Sequence, residues 1–322
     1  MLVLTRSDVE RALDLDALRD AVARAMVDLS AGRASMPARI AANVAERDAL
    51  LAAMPAYLPS ARALTTKLVS LFPKNVDRPT HQAVIVAFDP ETGTPAALMD
   101  GEAITAARTA AGSALATDLL ARKDAKRLVV IGTGVQARAH VRAVQRVRRF
   151  GSICVAGRDA ARARALADEL GGTIEASATI EQAVREADVV CACTHSPEPV
   201  VRREWLRDGT HVNSVGFNTI GREVDGATFR DALVVVESRA AALAPPPVGS
   251  NDIAMAIADG AMTREHVHAE LGELVSGSRA RRRDEREITL YKSVGVAVQD
   301  AAAAAIVLEA AKRMRLGRDV EI

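Results

Sequence analysis

One short stretch has the residue types and spacing of a phosphate grip: Gly132-Thr133-Gly134-Val135-Gln136-Ala137, a G-x-G-x-x-A run. The first glycine permits a tight turn, the second lets the backbone approach a pyrophosphate, and the small third residue lets a helix pack closely on a strand. The apolar "RLVVIG" precedes the turn, and a helix-like stretch follows from about Val135. The N–H groups of that helix's first turn, at Val135 and Gln136, are then free for phosphate oxygens. A second position selects the nucleotide. After the next strand, "SICVAGRD", an NAD site should end in an acid that pairs with the ribose 2′-OH. Gly157 fills that place and Arg158 follows. This suits a 2′-phosphate and favours NADP. NAD stays open, through Asp159 bending back to the ribose or Arg158 stacking on adenine.

The elements that must hold this grip are readable around it. From Arg127 the rhythm is strand, helix, strand, helix: "RLVVIG", then "SICVAG" before "RDAARARALADEL", then "TIEQAVREA" before "DVVCAC", with "THVNSVG" and "ALVVVES" as later strands. Such alternation argues for a parallel sheet covered by helices on both faces. Before it, Ser7 and Glu10 have the spacing of a capping box. Leu18, Val22, Met26 and Leu29 share one helical face up to Gly32. "ALTTKLVSLFP" and "HQAVIVAFD" read as strands, with "DPETGTP" as a hairpin turn after the second. Ile104 to Arg122 reads as a long alanine-rich helix, and a second long helix follows "ITLYKSVG". The expected fold class is α/β: a Rossmann-type doubly wound parallel sheet, residues 120–294, inserted in a mixed α+β substrate and dimerisation domain of residues 1–119 plus 295–322. The insertion accounts for the mid-chain position of the grip.

Composition narrows the function. A chain of 322 residues suggests about two domains. With 42 basic and 41 acidic side chains and 2% aromatics, neither a polyanion-binding surface nor a stacking platform is expected, so no nucleic-acid partner is. "RARRRDERE" offsets its own charge and reads as a solvated run. No apolar run reaches the roughly 20 residues that span a bilayer, and "MLVLTRSDVE" has no apolar signal core. No membrane partner is expected, and the cytoplasm is the expected location. Cys154, Cys191 and Cys193 lie in apolar strands and read as thiols in a reducing compartment. Their spacing suits neither a redox pair nor zinc, and no metal is expected. His81 either lines a pocket or caps a strand end, His195 borders the strand-end region, and His266 and His268 read as exposed helix residues.

Over nearly its whole length the chain resembles the ornithine cyclodeaminase/μ-crystallin family. The resemblance rests on "MPARI", "TTKLVSLFPKN", "FDPETGTPAALMDGEAITAARTAAGSALATDLLAR", "VVIGTGVQARAH", "SVGFNTIGREVD" and "ITLYKSVGVAVQD". The family includes cyclodeaminases, alanine dehydrogenase, reductases of cyclic ketimines such as Δ1-pyrroline-2-carboxylate, an iminosuccinate reductase and NADPH-binding crystallins. Its members are usually dimers, so the resemblance implies a homodimer whose first domain makes the dimer contact and the substrate floor. It implies that Arg39 and Arg108 hold a substrate carboxylate and that Lys67 faces that group and the reacting carbon. It also implies that Thr109 and Ser113 lie near the cofactor phosphates, and that Thr194, Val215, Gly216, Ser293 and Gly295 line the nicotinamide pocket.

The chemistry suits those residue types. A guanidinium fork fixes the plane of a carboxylate, a C=N carbon must be held close to nicotinamide C4, and a lysine buried near two arginines should have a depressed pKa and can protonate or steer the imine. Asn218, a candidate substrate-binding residue, is where the chain departs from the cyclodeaminase pattern, since those enzymes carry there an aspartate that handles the second amine of ornithine. An amide is no general base. Together with the missing acid at Gly157, this points to NAD(P)H-dependent reduction of a small α-imino acid, most directly a cyclic ketimine, to an L-amino acid. The alternatives are a cyclodeaminase that recycles NAD internally, an alanine dehydrogenase or iminosuccinate reductase activity, and a crystallin-like NADPH binder. Met54, Leu71 and the "FNTIG" loop are the expected pocket walls.

Overall fold

The computed structural model describes residues 1–218 and 220–321. The chain divides into two compact units, Met1–Arg108 with Val296–Ile322, and Thr109–Gly295. The first unit begins with β1 (Leu2–Leu4), α1 (Arg6–Ala12) and α2 (Leu15–Ser30), and continues through β2 (Ile40–Val44), β3 (Ala49–Leu58), β4 (Ala63–Leu71), β5 (His81–Phe88) and β6 (Pro95–Asp100). The capping box of α1 is made by Thr5 and Asp8, not by Ser7 and Glu10. Strand β1 ends at Leu4, so the chain has to turn at the very next residue. Along α2, Leu18, Val22 and Met26 are fully buried, while Leu29 is only half-buried. Asp89 closes the β5–β6 hairpin by accepting the Glu91 and Thr92 N–H groups. In β4, burial alternates from Ala63 to Val69, as a half-buried strand requires. Lys67 falls on the inward face, in register with Met54 of β3 and Ile85 of β5.

Helix α3 (Gly101–Leu120) contains the first division between the units. The sequence reading put that division near residue 120, because an unbroken alanine-rich helix offers no composition shift to mark it. The second unit alternates strictly at first: β7 (Arg127–Ile131), α4 (Val135–Val144), β8 (Ser152–Ala156), α5 (Ala160–Leu170), β9 (Ile174–Ala176), α6 (Ile180–Glu186) and β10 (Val189–Ala192). It continues with β11 (His211–Ser214), α7 (Gly226–Asp231), β12 (Leu233–Val236), α8 (Arg239–Ala242), α9 (Asn251–Ala258), β13 (Val267–Glu270), α10 (Leu271–Ser276) and β14 (Thr289–Lys292). Its sheet has the order β13-β12-β14-β11-β10-β7-β8-β9, and the paired strands are parallel. The chain moves outward from β7 to β8 and β9, then returns to β10 on the other side. That is the topological switch point, where the carboxyl ends of the strands open a crevice. Apolar side chains cover both faces, with Val129, Val190 and Phe229 in one layer and Leu128, Val141 and Cys191 in the other. His266 and His268 are not exposed helix residues: His266 ends a short 3-10 turn, and His268 lies half-buried in β13 with Nε2 2.8 Å from the Ala280 carbonyl.

The first unit is completed by α11 (Ala297–Met314) and β15 (Arg318–Asp319). Its sheet is mixed, in the order β15-β1-β6-β5-β4-β3-β2, and α11 packs against α2, β3 and β4. That packing places the first turn of α11 over the inward face of β4. No helix among the described residues is long and apolar enough to cross a membrane.

Candidate active site

The inward face of β4 and the first turn of α11 together create a buried charge cluster in the first unit. Lys67 is 3% exposed, Arg108 5%, and Gln299 and Asp300 1% each. Lys67 Nζ lies 2.8 Å from Asp300 Oδ2. Arg108 donates from Nε to Asp300 Oδ1 at 3.0 Å and from Nη1 to Gln299 Oε1 at 3.1 Å. Burial lowers the Lys67 pKa most. Asp300 pulls it back, Arg108 and Arg39 push it down again, and it settles at about 8. Burial raises the Asp300 carboxyl, but Lys67 and Arg108 outweigh this and hold it below the usual carboxylate range. Arg39 is half-buried in the extended stretch before β2, within electrostatic reach of Lys67. Two cations, Lys67 and Arg108, therefore share one carboxylate, an imbalance that suits an added anion. His81 opens β5. Burial, then Lys67 and Arg108, push its pKa down to about 4, so it stands neutral at pH 7. Gln299 Nε2 is buried with no hydrogen-bond partner among the described residues. This orphan donor beside Arg108 is a place for a ligand oxygen.

The glycine run of the second unit forms the expected turn between β7 and α4. Gly132 has φ +121°, and a Cβ there would lie 2.6 Å from the Cys193 carbonyl oxygen, so only glycine fits. Gly134 caps α4 without a side chain, and a Cβ there would meet nothing within 4 Å among the described residues. Val135, in the first turn, is 52% exposed. Ala137 is fully buried, as close packing of helix on strand demands. Gln136 Oε1 is buried without a partner among the described residues. The glycine turn and the closely packed Ala137 fit a dinucleotide pyrophosphate at the helix N-terminus. His140 braces the turn: Nδ1 is 2.7 Å from the Gln136 carbonyl and Nε2 is 2.9 Å from Ser113 Oγ on α3. With Nδ1–H donating to that carbonyl, the Ser113 hydroxyl donates to Nε2 and is thereby committed. Thr109, one turn earlier on α3, is buried. Gly157 follows β8, and a Cβ there would press to 3.1 Å on Thr133. Arg158 is exposed, and Asp159 is engaged as the cap of α5, accepting the Arg162 N–H at 3.1 Å.

The loops after β10, β11 and β14 carry Thr194, Val215, Gly216, Ser293 and Gly295, all at the carboxyl edge of the sheet. Two buried glutamates hold them. Glu223 accepts the N–H of Thr194 at 2.7 Å and its hydroxyl at 2.9 Å through Oε1, and the Ser214 hydroxyl and Gly216 N–H through Oε2. Glu237 accepts the Ser293 hydroxyl at 2.5 Å and the N–H groups of Val294 and Gly295 at 3.0 and 3.1 Å. Lys292 Nζ donates to Ser214 Oγ and the Gly216 carbonyl and pairs with Asp252 Oδ2 at 3.2 Å. Asn218 is tied into its own loop. Its Oδ1 accepts the Ile220 and Gly221 N–H groups, and its Nδ2 donates to the His195 carbonyl.

Sequence reasoning named Lys67 and Arg108, which the structure brings together, but missed Asp300 and Gln299 beside them. The available signal was a polar pair inside the apolar run "VAVQDAAAAA". It also missed Glu223, Glu237, Asp252 and Lys292. Glu237 and Lys292 were visible as charges at the ends of the strands "LVVVE" and "TLYK".

Known proteins match this architecture along its length. Mouse ketimine reductase mu-crystallin is 36% identical over 281 residues, covering 86% of this chain and 86% of that protein. The structure of Thermococcus litoralis Δ1-pyrroline-2-carboxylate reductase with NADH and L-proline superposes with a TM-score of 0.94 at 39% identity, covering 99% of this chain and 100% of that one. An archaeal alanine dehydrogenase dimer with bound NAD superposes with a TM-score of 0.92 at 31% identity, covering 100% and 99%. The model of the ornithine cyclodeaminase/mu-crystallin family matches residues 1–315, and the chain belongs to that family.

Proposed function

We propose that the protein reduces a small α-imino acid to the L-amino acid with a reduced nicotinamide dinucleotide. A cyclic ketimine such as Δ1-pyrroline-2-carboxylate is the best match. The observation that carries this reading is the buried Lys67–Asp300–Arg108 cluster, an anion-seeking site with a lysine poised to exchange a proton. Arg39 and Arg108 hold the substrate carboxylate. Lys67, near pKa 8, is charged at pH 7 and delivers a proton to the imine nitrogen. Asp300 fixes the direction of both Lys67 and Arg108. The cofactor supplies a hydride to the C=N carbon. Burial of Lys67 keeps bulk water from the proton it donates.

Gly132, Gly134, Val135 and Gln136 hold the pyrophosphate in this reading, with Thr109 nearby on α3, and Thr194, Val215, Gly216, Ser293 and Gly295 take the nicotinamide. Gly157 and the exposed Arg158 favour NADP, since Asp159 is spent on capping α5, while NAD remains usable. The Thermococcus relative, with NADH and L-proline bound, supports both the reaction and that tolerance. Net reduction is favoured over cyclising deamination by Asn218, whose amide braces a loop and offers no carboxylate to a second ammonium.

A homodimer is supported by the archaeal relative and by exposed apolar side chains of β2, β3 and β5, with Ile40 at 70%, Leu51 at 49% and Val84 at 40%. The free thiols Cys154, Cys191 and Cys193 suit a cytoplasmic, reducing setting. The test supplies purified protein with Δ1-pyrroline-2-carboxylate and NADPH or NADH, and separately with L-ornithine and NAD. One L-proline per cofactor oxidised, faster with NADPH, is expected. Proline and ammonia from ornithine with no net change in cofactor would overturn the reading.

A further inference from the structure

The strand ends of the second unit hold a charge network that the reaction above does not use. Glu223, Glu237, Asp252 and Lys292 are each at most 1% exposed. The three carboxylates only accept: Glu223 and Glu237 from the loops that carry Thr194, Gly216 and Ser293, and Asp252 from the Glu223 and Val224 N–H groups. Lys292 is the ammonium set among them, against Asp252. Three carboxylates thus share the strand ends with one ammonium, in a region sheltered from water. The charges are fixed in direction, because each carboxylate is held by two or more hydrogen bonds and cannot turn away.

Their place in the fold gives this excess a target. A dinucleotide lies in the crevice outside the carboxyl ends of a doubly wound sheet, with its adenosine half toward the strand after the glycine turn, here β8. The other half then lies toward β10, β11 and β14, whose ends Glu223, Glu237 and Lys292 organise. On the reading under Proposed function, that half is the nicotinamide. A reduced ring is neutral. When two electrons and a proton leave it as hydride for the imine carbon, and Lys67 gives the imine nitrogen its proton, the ring is left with one positive charge. We propose that Glu223, Glu237, Asp252 and Lys292 form an electrostatic bed that favours the cationic, oxidised ring, making the bound reduced cofactor a stronger hydride donor. The bed is preorganised by the fold, so it needs no rearrangement during transfer.

The test measures dissociation constants of NADPH and NADP⁺, by fluorescence and calorimetry, on the full-length protein. Glu237→Gln is expected to weaken NADP⁺ relative to NADPH, on the order of tenfold. Lys292→Met, which removes the lone positive charge, is expected to move the ratio the other way. Circular dichroism checks folding, and Glu223→Gln replaces Glu237→Gln should that variant not fold. Equal weakening of both forms in the charge variants would mean that the network only shapes the loops, and would overturn the proposal. A wild-type protein that binds neither form would instead overturn the dinucleotide reading, and the proposal with it.

Discussion

At the scale of single residues, the site depends on how Lys67 is held. Its pKa of about 8 is a balance of burial, which lowers it most, the Asp300 carboxylate, which raises it, and the Arg108 and Arg39 charges, which lower it again. In the proposed role only protonated Lys67 serves the imine nitrogen, so kcat/KM for reduction should fall as pH rises through about 8. Lys67→Met should lose roughly 10²- to 10⁴-fold in kcat and with it the alkaline limb. Asp300→Asn removes the charge that raises Lys67, so its alkaline limb should move to lower pH; a limb that stays in place would remove Asp300 from this role. Arg39, Lys67 and Arg108 stood out in the sequence because whole motifs around them match a known family. Asp300 did not: one acid at the head of an alanine-rich helix is also what favours any helix start, and nothing local says which side chain it will meet.

At the scale of elements, the proposed cofactor choice rests on the glycine turn and the β8–α5 turn. Gly132→Ala should destabilise the second unit by about 1–3 kcal/mol or more, because its φ of +121° disfavours a side chain and the new Cβ would lie 2.6 Å from the Cys193 carbonyl oxygen. Chemical denaturation reads this directly. Arg158→Ala should weaken NADPH binding while leaving NADH unchanged; equal effects on both would remove Arg158 from the 2′-phosphate site. These turns were legible because backbone demands fix residue types at fixed spacing. Other ends were not. The cap of α1 sits at Thr5, two residues before Ser7, because the length of β1 sets where the turn must come. The strand that holds His268 was not visible, because four residues at a sheet edge are too few to show a period.

At the scale of the whole chain, alternation of strands and helices between about 127 and 236 announced the doubly wound sheet, and the long helix after Gly295 lies in the unit that also holds Met1–Arg108. The division inside α3 left no mark in composition. A property of the whole fold follows from its buried histidines. Burial lowers His140 from 6.5 to about 4 and His211 to about 3. The unfolded chain binds these protons first, so stability is full above about 6.5 and is lost as pH falls toward 4. Each histidine contributes a slope of about 1.4 kcal/mol per pH unit in that window. Urea midpoints should therefore drop steadily from pH 7 to pH 5, and constant midpoints would contradict the burial of neutral imidazoles. The central claim, that the hydride is spent on an imino acid, is tested most directly by isotope. Protein supplied with Δ1-pyrroline-2-carboxylate and NADPH deuterated at the transferable C4 position should yield L-proline with one deuterium at Cα for each cofactor oxidised. Proline without deuterium, or no proline while the label stays on the cofactor, would contradict it.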